Sequence, residues 1–173
     1  MRRLIRFADA LNEAAGRLAA GLSVLLVLLV AALVAARYLF GIGSIAAQEA
    51  VLWLHGGLFL RAIGYAYRHG AHVRVDVFSQ RYSPRVAAAV ELAGVLLLLA
   101  PLCVFTLWIS LDYVAASWAQ REGSNSTGLP GWYLVKTLIP VSASLLLLQG
   151  VAQALRAVER LRGRAHDDGG GRA

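Results

Sequence analysis

The sequence predicts an all-α integral membrane protein: four transmembrane helices, both termini cytoplasmic, and an N-terminal amphipathic helix at the inner interface. Three observations lead there. The chain is 58% hydrophobic and only 16% charged over 173 residues, whereas soluble domains are less apolar and about a quarter charged. Its apolar residues fall into four runs, each close to the roughly 20 residues a bilayer crossing takes. The arginines gather on alternate sides of those runs, as the positive-inside rule requires.

Residues 1–17 form the first element. Leu4, Phe7, Ala8, Leu11, Ala15 and Leu18 recur at helical spacing, while Arg3, Arg6, Asp9, Glu13 and Arg17 occupy other faces. Glu13 and Arg17 make a favourable i,i+4 pair. This pattern predicts a helix lying at the inner interface before the chain turns into the first span; an extension of that span is the alternative. The start "MRRLIRF" is basic like a signal peptide, but the apolar run begins only at Leu18 and no small-residue cleavage site ends it. A retained anchor is expected.

The spans cover residues 18–36, 50–67, 86–111 and 131–152, within a membrane domain of residues 18–155. Backbone polar groups in lipid must bond within their own segment, so each span is expected to be helical. The second, from Glu49 to Arg68, is the most polar. Pro84 is expected to start the third. Residues 156–173 make a basic cytoplasmic tail in which Leu155, Val158 and Leu161 alternate with arginines, and the final "HDDGGGRA" is expected to be disordered.

Orientation follows from charge. Arg2, Arg3, Arg6 and Arg17 precede span one; Arg68, Arg74, Arg81 and Arg85 lie between spans two and three. Arg156, Arg160, Arg162, Arg164 and Arg172 follow span four. The other two connections hold only Arg37 and Arg121, with Lys136 just inside span four. Trp108, Tyr113, Trp118, Trp132 and Tyr133 then form an aromatic belt at the outer face. The net charge of +7 comes from these segments rather than from a basic groove with interleaved aromatics, which argues against nucleic acid as a partner. Cys103 is alone, so no disulfide or cysteine metal site can form within the chain.

Polar residues inside spans are the functional candidates. Arg61 lies seven residues inside Arg68, about 10 Å deep at 1.5 Å per residue. Glu91 lies six residues inside Arg85 on the next, antiparallel span, and the depth match predicts an Arg61–Glu91 pair. Trp53, Gly57, Arg61 and Gly64 share one stripe of span two, whose small residues allow close helix packing. His55 lies on another face, with no histidine in any other span to make a haem pair; a helix-packing role is expected. Glu49 and Asp112 fall near the outer boundary. No nucleophile–base constellation, phosphate-binding glycine loop or metal-ligand set is present, so no enzyme and no cofactor is expected. "NST" at 125–127 matches a glycosylation sequon.

"GAHVRVDVF" (70–78) concentrates His72, Arg74 and Asp76 between two spans. Its alternating valines suit an extended segment. It is expected to form a structured corner at the cytoplasmic side, Asp76 capping a short helix through Ser83.

Taken together, these features resemble the small membrane subunit (DctQ-like) of tripartite ATP-independent periplasmic (TRAP) transporters over nearly the whole chain. The resemblance rests on the four-span layout, "RYLF" (37–40), "QEAVLW" (48–53), the His-Gly-Ala-His-Val-Arg-Val-Asp string and "SNSTGLPGWY" (124–133). It implies interface or structural roles for Arg37, Tyr38, Glu49, His72, Arg74, Asp76 and Pro130. Arg61 departs from the family pattern, which would place a small or apolar residue there. The resemblance also implies a large membrane subunit as partner and a periplasmic solute-binding protein that delivers an organic acid or similar solute. Uptake would be driven by an ion gradient, with this chain as part of the static scaffold in the bacterial inner membrane. The alternatives are a stand-alone four-helix small-molecule/proton antiporter, relying on one intramembrane carboxylate, and a redox-complex membrane anchor.

Overall fold

The computed structural model describes residues 2–70, 82–124 and 129–167. Four helices carry nearly all of them: α1 (Arg2–Phe40), α2 (Ile45–Arg68), α3 (Pro84–Ala119) and α4 (Trp132–Asp167). Three segments are long and apolar enough to cross a membrane: Arg2–Phe40, Pro84–Ala119 and Trp132–Gly163. The 24 residues of α2 would span about 36 Å, but Gln48, Glu49, His55 and Arg61 dilute its apolar character, and it is not in that set.

The expected turn between residues 17 and 18 is absent, because α1 is one helix of 39 residues. Its inner-facing stripe explains the continuity. Ile5, Ala8, Asn12, Gly16 and Ala19 are buried, and Leu22, Leu26, Leu29, Leu33 and Ala36 continue as half-buried residues. Steps of three and four keep one seam against a neighbouring helix along the whole length. The apolar face read from the sequence is a different one: Leu4, Phe7, Leu11 and Leu18 are exposed.

At its far end α1 stops at Gly41, which adopts φ +68° and donates to Arg37 O at 3.2 Å, while Ile42 N donates to Ala36 O at 3.1 Å. This is a glycine-terminated C-cap. Ser44 then caps α2, its hydroxyl accepting from Ala47 N at 3.3 Å. The four-residue link makes α1 and α2 antiparallel neighbours. At the other connection Ser83 caps α3, accepting from Val86 N at 3.4 Å, with Pro84 at the first helical turn.

Helices α1, α2 and α4 pack on one another, whereas α3 packs chiefly on α4. Small residues bring the backbones together. A Cβ on Gly16 would meet Cε2 of the Tyr65 ring at 2.8 Å, and one on Gly64 would meet Cγ of Asn12 at 3.0 Å. On Gly57 it would lie 3.6 Å from Leu138, an ordinary contact. Within α3, residues Val95–Leu99 form a π turn. Pro101 follows it and cannot donate to the carbonyl four residues back, so the wider turn, closed by Ala100 N to Val95 O, absorbs the defect. Leu99 and Val95 of that turn press on Gly150 of α4.

Most large apolar side chains of α1 and α3 face outward: Val27, Leu28, Leu97, Leu98 and Trp108 are all more than 60% exposed. Such a surface suits lipid or protein neighbours, not water.

The helix α4 continues without a break into the segment expected as a tail, through Asp167. Residues 168–173 lie outside the described residues, as do 71–81 and 125–128.

Close backbone approach should make substitution costs uneven. Gly16→Ala and Gly64→Ala, which meet a ring root and a hydrogen-bonded amide, are expected to destabilise by about 1–3 kcal/mol. Gly57→Ala should be near neutral. Thermal melts of the detergent-solubilised chain separate these outcomes, and equal losses at all three positions would contradict the packing described.

Candidate functional site

Two polar clusters close the ends of the α1–α2–α4 unit, and they are called inner and outer after the orientation expected from the arginines. The inner one is built on Asp9, Asn12 and Glu13 of α1. Asn12 is fully buried; its Nδ2 donates to Gln149 Oε1 and to Ala8 O, each at 3.0 Å. Gln149, also fully buried, donates from Nε2 to Asp9 Oδ1 at 3.1 Å. Asp9 pairs with Arg156 of α4 and lies 3.6 Å from Nε of Arg68 of α2. Arg68 also donates to Glu13 Oε2 at 2.7 Å and to Asp9 O at 2.9 Å. His69 Nε2 stands 3.7 Å from the same Glu13 oxygen. One carboxylate thus ties three helices.

The outer cluster surrounds the α3–α4 connection. Arg121 adopts φ +44°, turning the chain after α3. Ser124 N then donates to Leu129 O at 2.8 Å, and Gly123 bridges Pro130. Ser124 Oγ donates to Glu49 of α2, whose side chain is buried. Glu122 accepts from Ser117 Oγ at 2.7 Å and from Lys136. Lys136 in turn lies over the Tyr113 ring, 4.1 Å from its centroid. Trp53 meets Trp132 edge-on at 5.8 Å and lies against Gly131, whose φ of +117° is a backbone conformation that favours glycine. Glu49, Tyr113, Glu122, Ser124, Trp132 and Lys136 line an open cleft there.

The sequence candidates distribute as follows. Glu49, Trp53 and Pro130 belong to the outer cluster. Gly57 and Gly64 form the α2 surface turned toward α4, Gly64 also receiving Asn12. Arg37 and Tyr38 are exposed at the end of α1. His55 is exposed and stacks on Phe59 at 6.3 Å rather than packing between helices. The expected Arg61–Glu91 pair does not form: Glu91 bonds Arg160 Nη1 at 3.1 Å. The expectation rested on depth alone, whereas α3 packs chiefly on α4, and the cation that Glu91 meets is on α4. Among the described residues Arg61, half-buried, has no ion pair. His72, Arg74 and Asp76, with the expected corner, lie outside the described residues, as does the sequon.

Sequence reading missed the inner cluster. Its signal was present: Gln149 is the one amide in a run of leucines, and Asp9 and Asn12 interrupt an apolar helix three residues apart. Glu13 was assigned to Arg17 within its own helix; the structure gives it to Arg68 across to α2.

The family model described as "Tripartite ATP-independent periplasmic transporters, DctQ component" matches residues 26–160. No curated protein matches the chain.

Two measurements test the clusters. Asp9→Ala leaves Arg68 and Arg156 short of an acceptor and is expected to cost about 2 kcal/mol, read as a lowered melting temperature; an unchanged melt would contradict the three-helix tie. At the outer corner, hydrogen bonds from Lys136 and then Ser117 hold the Glu122 carboxyl below its usual range. A lowered folded-state pKa means that its stabilisation is present above the unfolded value, about 4.3, and is lost as pH falls through the folded one. Tryptophan fluorescence should therefore be flat from neutral pH to about 5 and change only at lower pH. Glu122→Gln should remove that change.

Proposed function

Because the chain belongs to the DctQ-component family of TRAP transporters, a family of transporter parts rather than enzymes, we propose that it is the small scaffold subunit of such a transporter. In this reading it pairs with a large membrane subunit that carries the substrate and ion sites. A periplasmic binding protein delivers an organic acid or similar solute, and an ion gradient drives uptake. The long apolar helices make it a multi-pass protein of the bacterial inner membrane. All four helices cross, α2 included, with both termini cytoplasmic. Residues 1–17 extend the first crossing to the cytoplasmic side as part of the same helix, residues 18–155 hold the four crossings, and the basic segment from residue 156 lies at the cytoplasmic side.

The observation that carries this reading is the state of the interior polar groups. A solute or proton path needs side chains free to bind and release. Here Asp9, Asn12, Glu13 and Gln149 bond one another and two arginines at one end, and Glu49 and Glu122 are bonded at the other. Glu91, the carboxylate a stand-alone antiporter would use, is bonded to Arg160. A bundle fastened at both ends suits a static support against which another domain moves. The open cleft at Glu49, Ser124 and Lys136, together with Tyr38 and Pro130, supplies a polar and aromatic surface for part of the binding protein's docking. The His72–Arg74–Asp76 corner is assigned to shaping the cytoplasmic link between α2 and α3.

The test is reconstitution. The chain alone in liposomes should insert and give no gradient-driven uptake of any solute that the complete three-component system carries. Uptake by the chain alone at a rate comparable to the full system would overturn the scaffold reading.

A further inference from the structure

Arg61 and Arg68 are seven residues apart on α2, two turns along one helix face. Arg68 has two carboxylates of α1, Asp9 and Glu13, within 3.6 Å and 2.7 Å. Its counterpart two turns deeper has none among the described residues. In the antiparallel α1–α2 pair, Asn12 contacts Gly64 and Gly16 contacts Tyr65, which sets Arg61 opposite the next turn of α1, residues 16–20. That turn is Gly-Arg-Leu-Ala-Ala, and from there to Phe40 α1 has no acidic residue. Between Lys136 and Gln149, α4 has none either. In α2, Glu49 is twelve residues away, about 18 Å along the helix, and is engaged with Ser124. In α3, Glu91 is bonded to Arg160.

Lipid phosphate is a poor substitute. Helical side chains lean toward their N-terminus, which for Arg61 is away from the inner leaflet and toward Ile45. The outer end of α2 is sixteen residues off, about 24 Å. A guanidinium keeps its charge at any physiological pH, and at this depth an arginine is costly unless it meets an acceptor. Its immediate surroundings leave a way in. Arg61 is half-buried, not enclosed, and of the α1 residues around its level Gly16, Ala19 and Ala20 are small while Arg17 and Leu18 are exposed.

We infer that Arg61 is the docking contact for a carboxylate carried by a membrane helix of a second protein, the large subunit under the reading above, on which this inference rests. Arginine favours a planar, bidentate partner, so an aspartate or glutamate of an apolar helix fits better than a backbone carbonyl. The contact would act as a register pin: a single charge pair in lipid fixes both the depth and the rotation of the incoming helix.

The full chain is co-expressed with the large membrane subunit and purified through a tag on the chain. Arg61→Met is expected to lower the recovered large subunit at least about tenfold, the size expected for stranding one partner of a desolvated pair, whereas Arg61→Lys retains most of it. Arg61→Glu should be rescued by converting one acidic residue in the partner's apolar helices to arginine. The isolated Arg61→Met chain should melt within a few degrees of wild type, because Arg61 has no ion pair among the described residues. Wild-type recovery by Arg61→Met would overturn the inference alone. So would a mass-spectrometric finding that the isolated chain holds an anionic lipid which Arg61→Met loses without loss of assembly. Failure of the wild-type chain to recover the large subunit would sink the scaffold reading and this inference together.

Discussion

The fold depends on Asp9. Where three helices close on one another little water is at hand to satisfy a polar group, so a carboxylate is stable only where cations and donors are brought to it. Asp9 receives Gln149 and Arg156 from α4 and Arg68 from α2. That arrangement sets the register of all three helices at once. Sliding any of them by one turn would move a charged group about 5.4 Å, well out of reach of its partner. The rest of the inner half follows: Asn12 completes Gln149, and Gly64 and Gly16 are the clearances that let α2 come close enough for Arg68 to reach α1.

Above that knot the same helices have little to hold them but shape. The seam of α1 from Leu22 to Ala36 is only half-buried, and between apolar surfaces in lipid there is no hydrophobic driving force to close it. Closure at the outer end comes instead from Glu49 with Ser124 and from Trp53 against Trp132. Polar fastening at both ends with a smooth, apolar middle is an economical way to build a rigid element for a membrane.

Much of this was legible in the sequence, and the reasons are physical. Long apolar runs and the arginines that flank them announce helices of a membrane protein, so the all-helical, apolar character was legible. Pro84 marked the start of α3 because proline belongs at a first turn; Ser83, read as the end of a short helix, is its cap. What could not be read was which helix touches which. Depth alone paired Arg61 with Glu91, since both positions follow from counting residues inward; that α3 packs on α4 and leaves α2 is a matter of bundle topology, which counting does not contain. The continuity of α1 was hidden for a related reason. Its amphipathic start and its apolar span differ in composition, but the seam that joins them runs through Ala8, Asn12, Gly16 and Ala19, small or polar residues that look unremarkable in a list and become decisive only where another backbone lies against them. The π turn was equally hidden, because Pro101 announces a disturbed helix without saying how the disturbance is resolved.

The attachment of α3 to α4 has a consequence for how such a chain would work as a support. Three helices share the inner knot; the fourth is held by its contacts with α4, by the Glu91–Arg160 bridge and by the outer cluster through Ser117, Glu122 and Lys136. Leu97 and Leu98, on the π turn, are 73% and 74% exposed. The unit is therefore not a symmetric four-cornered bundle with one interior. It is a clasped triplet with an apolar flank on α3. Few interior polar groups are needed in such a unit, and its carboxylates at Asp9, Glu49 and Glu91 are used to fasten. A pathway for a solute needs the reverse, a wide polar interior with weakly engaged groups. The distribution of partners around Asp9, Glu91 and Glu122 favours an element that resists motion over one that carries cargo.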